Sequence, residues 1–308
     1  MKVAIIGAGI CGLYLGWKLS EKGHEITVFE KKSEIGNKVC SGLFSQRILD
    51  LIPQSKNLIQ NEINFSLLHF SGKTIRINFS KKFYVMSHFE LDKLAANLAK
   101  EAGAEIILNN QVKLIPEGFD KIIGCDGANS FIRNYLKLPS PCFRLGIQGF
   151  VKEPGKENFV ETWPCEKGFI WKIPRRETIE YGIISLPRLA GKIFNDFLKK
   201  REIKLEGVEA KVIPQGLIIP SNPSITLCGD ATGLTKPWSG GGVVWGLTAA
   251  NILVKTFPDF LAYRKKVRNF FLPKITLSKI ATKLVYFLGF KIPWLLPKNP
   301  KIESDFLL

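Results

Sequence analysis

The chain has 308 residues, 45% of them hydrophobic, which is enough for a large core in one compact body or two joined domains. Its formal net charge is +17, and its six cysteines, Cys11, Cys40, Cys125, Cys142, Cys165 and Cys228, form no C-x-x-C pair. This argues against a zinc site and a disulfide framework and for a reducing cytosol. No run approaches the roughly 20 apolar residues needed to span a bilayer. The first apolar strand follows Lys2 directly, so no signal peptide is expected.

Val3 to Ile6 is an unbroken apolar run, the pattern of a strand buried on both faces of a parallel sheet. Gly7, Gly9 and Gly12 follow in G-x-G-x-x-G spacing, and Leu13, Leu15 and Leu19 carry a helical pattern stopped by Gly23. Ile26 to Phe29 reads as a second strand, with Glu30 at its end. Each part has a task in holding a dinucleotide. Gly7 permits the turn, Gly9 lets backbone approach a pyrophosphate, and Gly12 lets helix and strand pack closely. The helix N-terminus offers free N–H groups to phosphates, and Glu30 is placed to accept hydrogen bonds from a ribose. The motif alone does not separate FAD from NAD.

A loop is expected at Gly36 and Asn37, then a short helix from Leu43 to Ile52 before Pro53. Asn64–Phe70 and Lys73–Phe79 predict a hairpin turning at Ser71-Gly72. Phe89–Gly103 predicts an amphipathic helix, Glu105–Leu108 and Gln111–Ile115 two strands, and Lys121–Ser130 a buried strand and turn before a helical Phe131–Leu136. From Phe143 to Ile213 short alternating segments predict an antiparallel sheet: Leu145–Val151, Phe159–Trp163, Phe169–Ile173 and Thr178–Leu186, with a helix near Leu189–Lys200. Ser224–Cys228 is again a strand, Gly229-Asp230 ends it, and Gly240 to Gly242 open a helix from Val243 to about Thr256.

The fold class expected is therefore α/β (α+β overall). Residues 1–40, 84–136 and 214–256 would form a discontinuous Rossmann-like domain with a parallel sheet. Residues 41–83 and 137–213 would form an inserted antiparallel-sheet substrate domain, and 257–308 a helical basic C-terminal region. Between Lys255 and Lys301 the only acid is Asp259, against ten lysines and arginines from Arg264 onward. This is either a solvated basic surface or one for anionic lipid headgroups. No nucleic-acid motif accompanies it, so no nucleic-acid partner is expected.

Several stretches carry a resemblance. LCGDATGLTKPWSGGGVVWGL resembles the second flavin fingerprint of the glutathione-reductase-like FAD superfamily, and GCDGANSFIR resembles the Asp-Gly motif of flavin monooxygenases and related reductases. NKVCSGLFSQRIL and GFIWKIPR resemble the cysteine loop and the Tyr-x-Trp-x-Phe-Pro-Lys motif of the geranylgeranyl reductase family. The resemblance covers most of residues 1–256. It implies FAD as cofactor, held by Gly7, Gly9, Cys11, Gly12, Glu30, Cys40, Ser41, Gly42, His88, Val112, Asp126, Asp230, Gly242 and Val243; His88 stands where the family usually has arginine. It implies reduction of C=C bonds in geranylgeranyl chains of membrane lipids; the electron donor, NADPH, a ferredoxin or another, is not readable from the sequence. Cys40 is the candidate proton donor, or else a small buried thiol. Phe169 and Trp171 are candidates for an apolar substrate tunnel, or else sheet core. The alternatives are an FAD-dependent monooxygenase and a non-catalytic flavin- or lipid-binding protein. His24, His69 and His88 are scattered and suggest no metal site. The expected location is cytoplasmic, peripheral on the inner face of the membrane, with a prenyl lipid and an electron-donor protein as partners.

Overall fold

The computed structural model describes residues 1–36, 39–303 and 305. The turn expected at Asn37, Lys38 of the cysteine motif, and the remaining positions of the C-terminal region lie outside the described residues. The apolar run forms β1 (Lys2–Ile6), buried from Val3 onward. After the glycine turn come α1 (Ile10–Ser20) and β2 (Glu25–Phe29), which runs parallel to β1 with Val3 opposite Ile26. The stretch expected as one helix splits into β3 (Leu43–Ser45) and α2 (Arg47–Leu51). Leu43 finds a ladder partner in Val85, so a sheet contact overrides the local helical pattern.

The hairpin turns at Ser71-Gly72 as expected but is longer, with β4 (Ile59–Phe70) and β5 (Lys73–Met86). Ser87 caps α3 (His88–Glu101) by accepting the Glu90 N–H. Then come β6 (Glu105–Ile107), β7 (Lys121–Gly124) and α4 (Phe131–Tyr135), the last capped by Ser130. The strand expected over Gln111–Ile115 is not formed. Val112 and Ile115 instead pack without a ladder against the cluster of Ala4, Ile6 and Ile122.

The middle of the chain supplies β8 (Cys142–Val151), β9 (Phe159–Cys165), β10 (Gly168–Pro174), β11 (Ile179–Ser185), α5 (Pro187–Lys200) and β12 (Glu206–Gln215). The last of these was not anticipated. β13 (Ile225–Leu227) and α6 (Val243–Thr256) return to the parallel body. Among the described residues, five parallel strands run in the order β13-β7-β1-β2-β6, and nine others form a second sheet, β12-β8-β11-β10-β9-β4-β5 with β3 and a final strand on β5. The second sheet is mixed rather than purely antiparallel, since β4 runs parallel to β9.

The C-terminal region is not only helical. Helix α7 (Phe260–Lys291) runs through Pro273, and β14 (Lys301–Ile302) then joins β5. One end of α7 docks in the parallel body, where Tyr263 donates to the Leu227 carbonyl at 3.1 Å. Its other end docks on the mixed sheet, where Gly289 lies so close to Phe70 that a Cβ would come within 2.1 Å of the ring. This helix therefore ties the two sheets together along the cleft between them.

Candidate active site

The glycine turn is built as its spacing requires. Gly7 has φ +105°, and a Cβ there would lie 2.5 Å from the Cys125 carbonyl oxygen. A Cβ on Gly12 would lie 2.0 Å from the Gly7 carbonyl oxygen. Gly9 differs: a Cβ would meet nothing within 4 Å, so this residue faces open space at the start of α1. No side chain caps that helix, and its first N–H groups point at the opening. Glu30 reaches back to the turn and accepts the Ala8 N–H at 2.8 Å and the Lys32 N–H at 3.0 Å. Asp126 accepts the Ile132 N–H at 3.1 Å through Oδ2, while its buried Oδ1 has no protein partner. An uncapped helix start, a glycine cradle and an orphaned carboxylate oxygen fit a dinucleotide diphosphate and its hydroxyl groups. Val112 packs partly buried against the same β1–β7 cluster.

The second glycine-rich stretch meets the first in space. Gly242 opens α6 without a side-chain cap, and its Cα faces Asp230, since a Cβ would lie 3.0 Å from Oδ1. Val243 is the first residue of the helix. Cys11 joins the two stretches: a Cβ on Gly229 or Gly246 would lie 2.9 or 2.7 Å from its Sγ. A hydrogen bond to Cys228, with burial, holds the Cys11 thiol well above its ordinary pKa. Cys11 is thus a neutral packing contact between the turn and α6.

The cysteine loop lies across this opening. Gly42 has φ +61°, and a Cβ would lie 2.1 Å from the Met86 carbonyl oxygen, so the loop can press against β5 only at a glycine. The Gly42 N–H points at Cys40 Sγ at 3.5 Å. The His88 ring stands between Cys40 and Asp92, with Nε2 3.3 Å from Asp92 Oδ1. Burial alone would lower the His88 pKa, but the Asp92 carboxylate and Cys40 raise it to about 10. Burial alone would raise the Cys40 pKa, but the neighbouring His88 charge, with the Gly42 N–H, brings it below its ordinary value. The sequence singled out Cys40 and His88 separately. The missing member is Asp92, whose i,i+4 spacing from His88 in HFELD places both on one face of a helix.

The Trp-Pro motif proves to be more than apolar wall. Trp171 lines the cavity, but its Nε1 also donates to Glu180 Oε1 at 2.9 Å. Arg175, at the end of β10, bonds the other oxygen of Glu180 at 2.5 Å and the Ser41 carbonyl at 2.7 Å. The mixed sheet therefore grips the cysteine loop through a buried ion pair. Gln148, on β8, adds a contact from Nε2 to the Cys40 carbonyl at 3.5 Å. Glu180 and Gln148 lie outside any motif, and only their fully buried positions in the sheet reveal them.

One cavity of about 630 Å³ connects these parts. Gly9, Cys40, His88, Asp230 and Gly242 line it. Phe169 and Trp171, with Leu68, Phe70, Ile75 and Ile77, give the same cavity apolar walls.

The parallel sheet and its glycine turn define a dinucleotide-binding fold. The family model for an NAD(P)-binding Rossmann-like domain matches residues 5–55. Along most of its length the chain is similar to digeranylgeranylglycerophospholipid reductases: that of Methanococcus vannielii is 25% identical over 301 residues, covering 82% of this chain and 77% of the relative. Among solved structures, the geranylgeranyl bacteriochlorophyll reductase-like protein of Thermoplasma acidophilum superposes with a TM-score of 0.81 at 20% identity, covering 92% of this chain and 86% of that one. The fold is also shared by pqsL of Pseudomonas aeruginosa, described as a probable FAD-dependent monooxygenase, with a TM-score of 0.69 at 15% identity, covering 94% and 95%.

Proposed function

We propose that the protein is an FAD-dependent reductase of carbon–carbon double bonds in geranylgeranyl chains of membrane lipids. The observation that carries this reading is that one cavity is lined both by a dinucleotide cradle with the Cys40–His88–Asp92 group and by aliphatic and aromatic walls. The digeranylgeranylglycerophospholipid reductases it resembles are named for such a substrate.

Gly9, Glu30, Asp126 and the start of α1 would hold the FAD diphosphate and ribose. Asp230, Gly242 and Val243 would meet the ribitol and the ring edge. A bound FAD supplies hydride-transfer chemistry. An isolated alkene has no carbonyl to polarise it, so one carbon must receive a proton from the protein as the other receives hydride. Asp92 keeps the His88 ring protonated at neutral pH, and the ring shares that proton with Cys40 Sγ, which hands it to the alkene carbon. Arg175 and Glu180 fix the loop that aims Cys40. The apolar walls align the chain and exclude water. The electron donor is NADPH or a ferredoxin, and supplying each separately under argon decides between them by which one bleaches the flavin.

We also propose that α7 docks on anionic membrane. Ile280, Leu284 and Phe287 follow i,i+4,i+7 spacing and are 59%, 55% and 59% exposed, with Trp294 at 71% beyond them. Lys279, Lys283 and Lys291 flank them, and α7 contains no acid. Thr282, Val285 and Tyr286 of the same helix line the cavity, so a lipid-facing helix would also be a cavity wall.

The functional test is oxidation of the reduced enzyme. A geranylgeranyl lipid should reoxidise the flavin under argon. If only oxygen does so, with a hydroxylated product, the protein is a monooxygenase instead.

A further inference from the structure

Leu296, Ile302, Glu303 and Asp305 help to line the cavity. The Asp305 side chain is fully buried, and three groups surround its carboxylate. Lys236 Nζ donates to Oδ1 at 2.5 Å, the Ser45 hydroxyl donates to Oδ2, and Arg47 Nε lies 3.5 Å from Oδ2. Trp245 Nε1 donates to the Asp305 carbonyl at 3.2 Å, and Arg47 also pairs with Glu303 at 2.9 Å.

A buried ammonium is costly unless an anion faces it. Lys236, only 6% exposed, sits on the glycine-rich stretch before α6, whereas Ser45 and Arg47 follow the cysteine loop. The glycine-rich stretch and the junction of β3 with α2 thus bring an ammonium, a guanidinium and a hydroxyl to one point. The anion among them comes from a segment joined to the sheet by the two-residue β14. The adjoining wall is apolar, with Phe79, Phe83 and Ile302 among its residues. Asp305 and Glu303 balance Lys236 and Arg47; with Asp305 displaced the cluster is net positive and, at the edge of an apolar cavity, complements an amphiphile with an anionic head. A phosphate also offers the ammonium, the guanidinium and the hydroxyl more acceptor oxygens than the Asp305 carboxylate does.

We infer that Lys236, Ser45 and Arg47 form a seat for the phosphate of a prenyl lipid, and that Asp305 is a built-in competitor that the phosphate displaces. The inference rests on the prenyl-lipid reading for the nature of the apolar part. The seat itself would take phosphate-class anions from a lipid or from free solution.

The test measures binding to full-length, FAD-loaded, oxidised enzyme, with tryptophan fluorescence reporting release of Asp305 from Trp245. The probes are geranylgeranyl monophosphate, neutral geranylgeraniol and inorganic phosphate. Asp305→Asn should tighten binding of the prenyl phosphate by about tenfold and leave the alcohol unchanged. Lys236→Met should weaken the prenyl phosphate by about tenfold or more, as expected for a charged hydrogen bond, with Lys236→Arg restoring most of it. Inorganic phosphate matching the prenyl phosphate would support the seat and assign it to free phosphate. If Asp305→Asn leaves both prenyl ligands unmoved, or Lys236→Met weakens both equally, Asp305 is a structural latch and the inference is wrong. Reduction assays separate the two claims. Phosphate preference without alkene reduction keeps the seat and removes the reductase reading, whereas reduction of both prenyl probes with no charge preference does the reverse.

Discussion

His88 is the residue on which the proton chemistry turns. Its pKa is raised in the folded state from 6.5 to about 10 because Asp92 and Cys40 outweigh burial. A raised pKa means the folded state binds the proton more tightly than the unfolded chain does. The associated stability is therefore complete below about pH 6.5 and is lost as pH rises through about 10. Alkene reduction should fall over the upper part of that window as the ring deprotonates. Asp92→Asn should move the alkaline limb of the pH–rate profile to lower pH without abolishing flavin binding. An unmoved limb would mean that His88 is not the group being titrated. Cys40→Ala should retain FAD, whose cradle lies elsewhere, and lose about a hundredfold or more in turnover, the usual worth of a general acid. Glu30→Arg should act oppositely. It removes the carboxylate that accepts the Ala8 N–H and puts a cation at the ribose site, so the purified protein should lose its yellow colour.

At the scale of elements, the cysteine loop depends on its supports. Arg175→Met leaves Glu180 buried without its guanidinium and should cost about 3–5 kcal/mol, measured by chemical denaturation. The double variant Arg175→Met, Glu180→Gln should recover part of that loss. If the single variant is as stable as the parent, the pair does not anchor the loop. This grip was only half legible in the sequence. GFIWKIPR is recognisable and Trp171 lines the cavity, but its bond to Glu180 depends on how β10 pairs with β11, which no local pattern states. The parallel elements were legible because buried strands and glycine spacing leave strong local marks. Two others were not. β12 is an edge strand whose Glu206, Glu209 and Lys211 dilute the apolar signal. Gln111–Ile115 has the alternation of a strand but no partner alongside it. The Cys40–His88–Asp92 group was likewise hidden, because residues 40 and 88 meet only through the fold.

For the whole molecule, α7 joins the two sheets, walls the cavity and exposes a basic apolar face. If that face docks on membrane, sedimentation with liposomes should increase with acidic lipid and decrease with salt. Phe287→Ser combined with Trp294→Ser should reduce it several-fold while leaving the fold intact, since both side chains are exposed. Binding indifferent to lipid charge and salt would leave the lysines as a solvated surface. Among the described residues no helix is long and apolar enough to cross a membrane. The central claim is that this architecture delivers a hydride and a proton to an isolated double bond. Its most direct test is mass spectrometry of a geranylgeranyl lipid incubated anaerobically with the reduced enzyme. The account predicts a gain of two hydrogens for each double bond reduced, the one delivered as a proton being solvent-derived when the reaction is run in deuterium oxide. An unchanged lipid mass beside persistently reduced flavin, for every prenyl lipid offered, would contradict it.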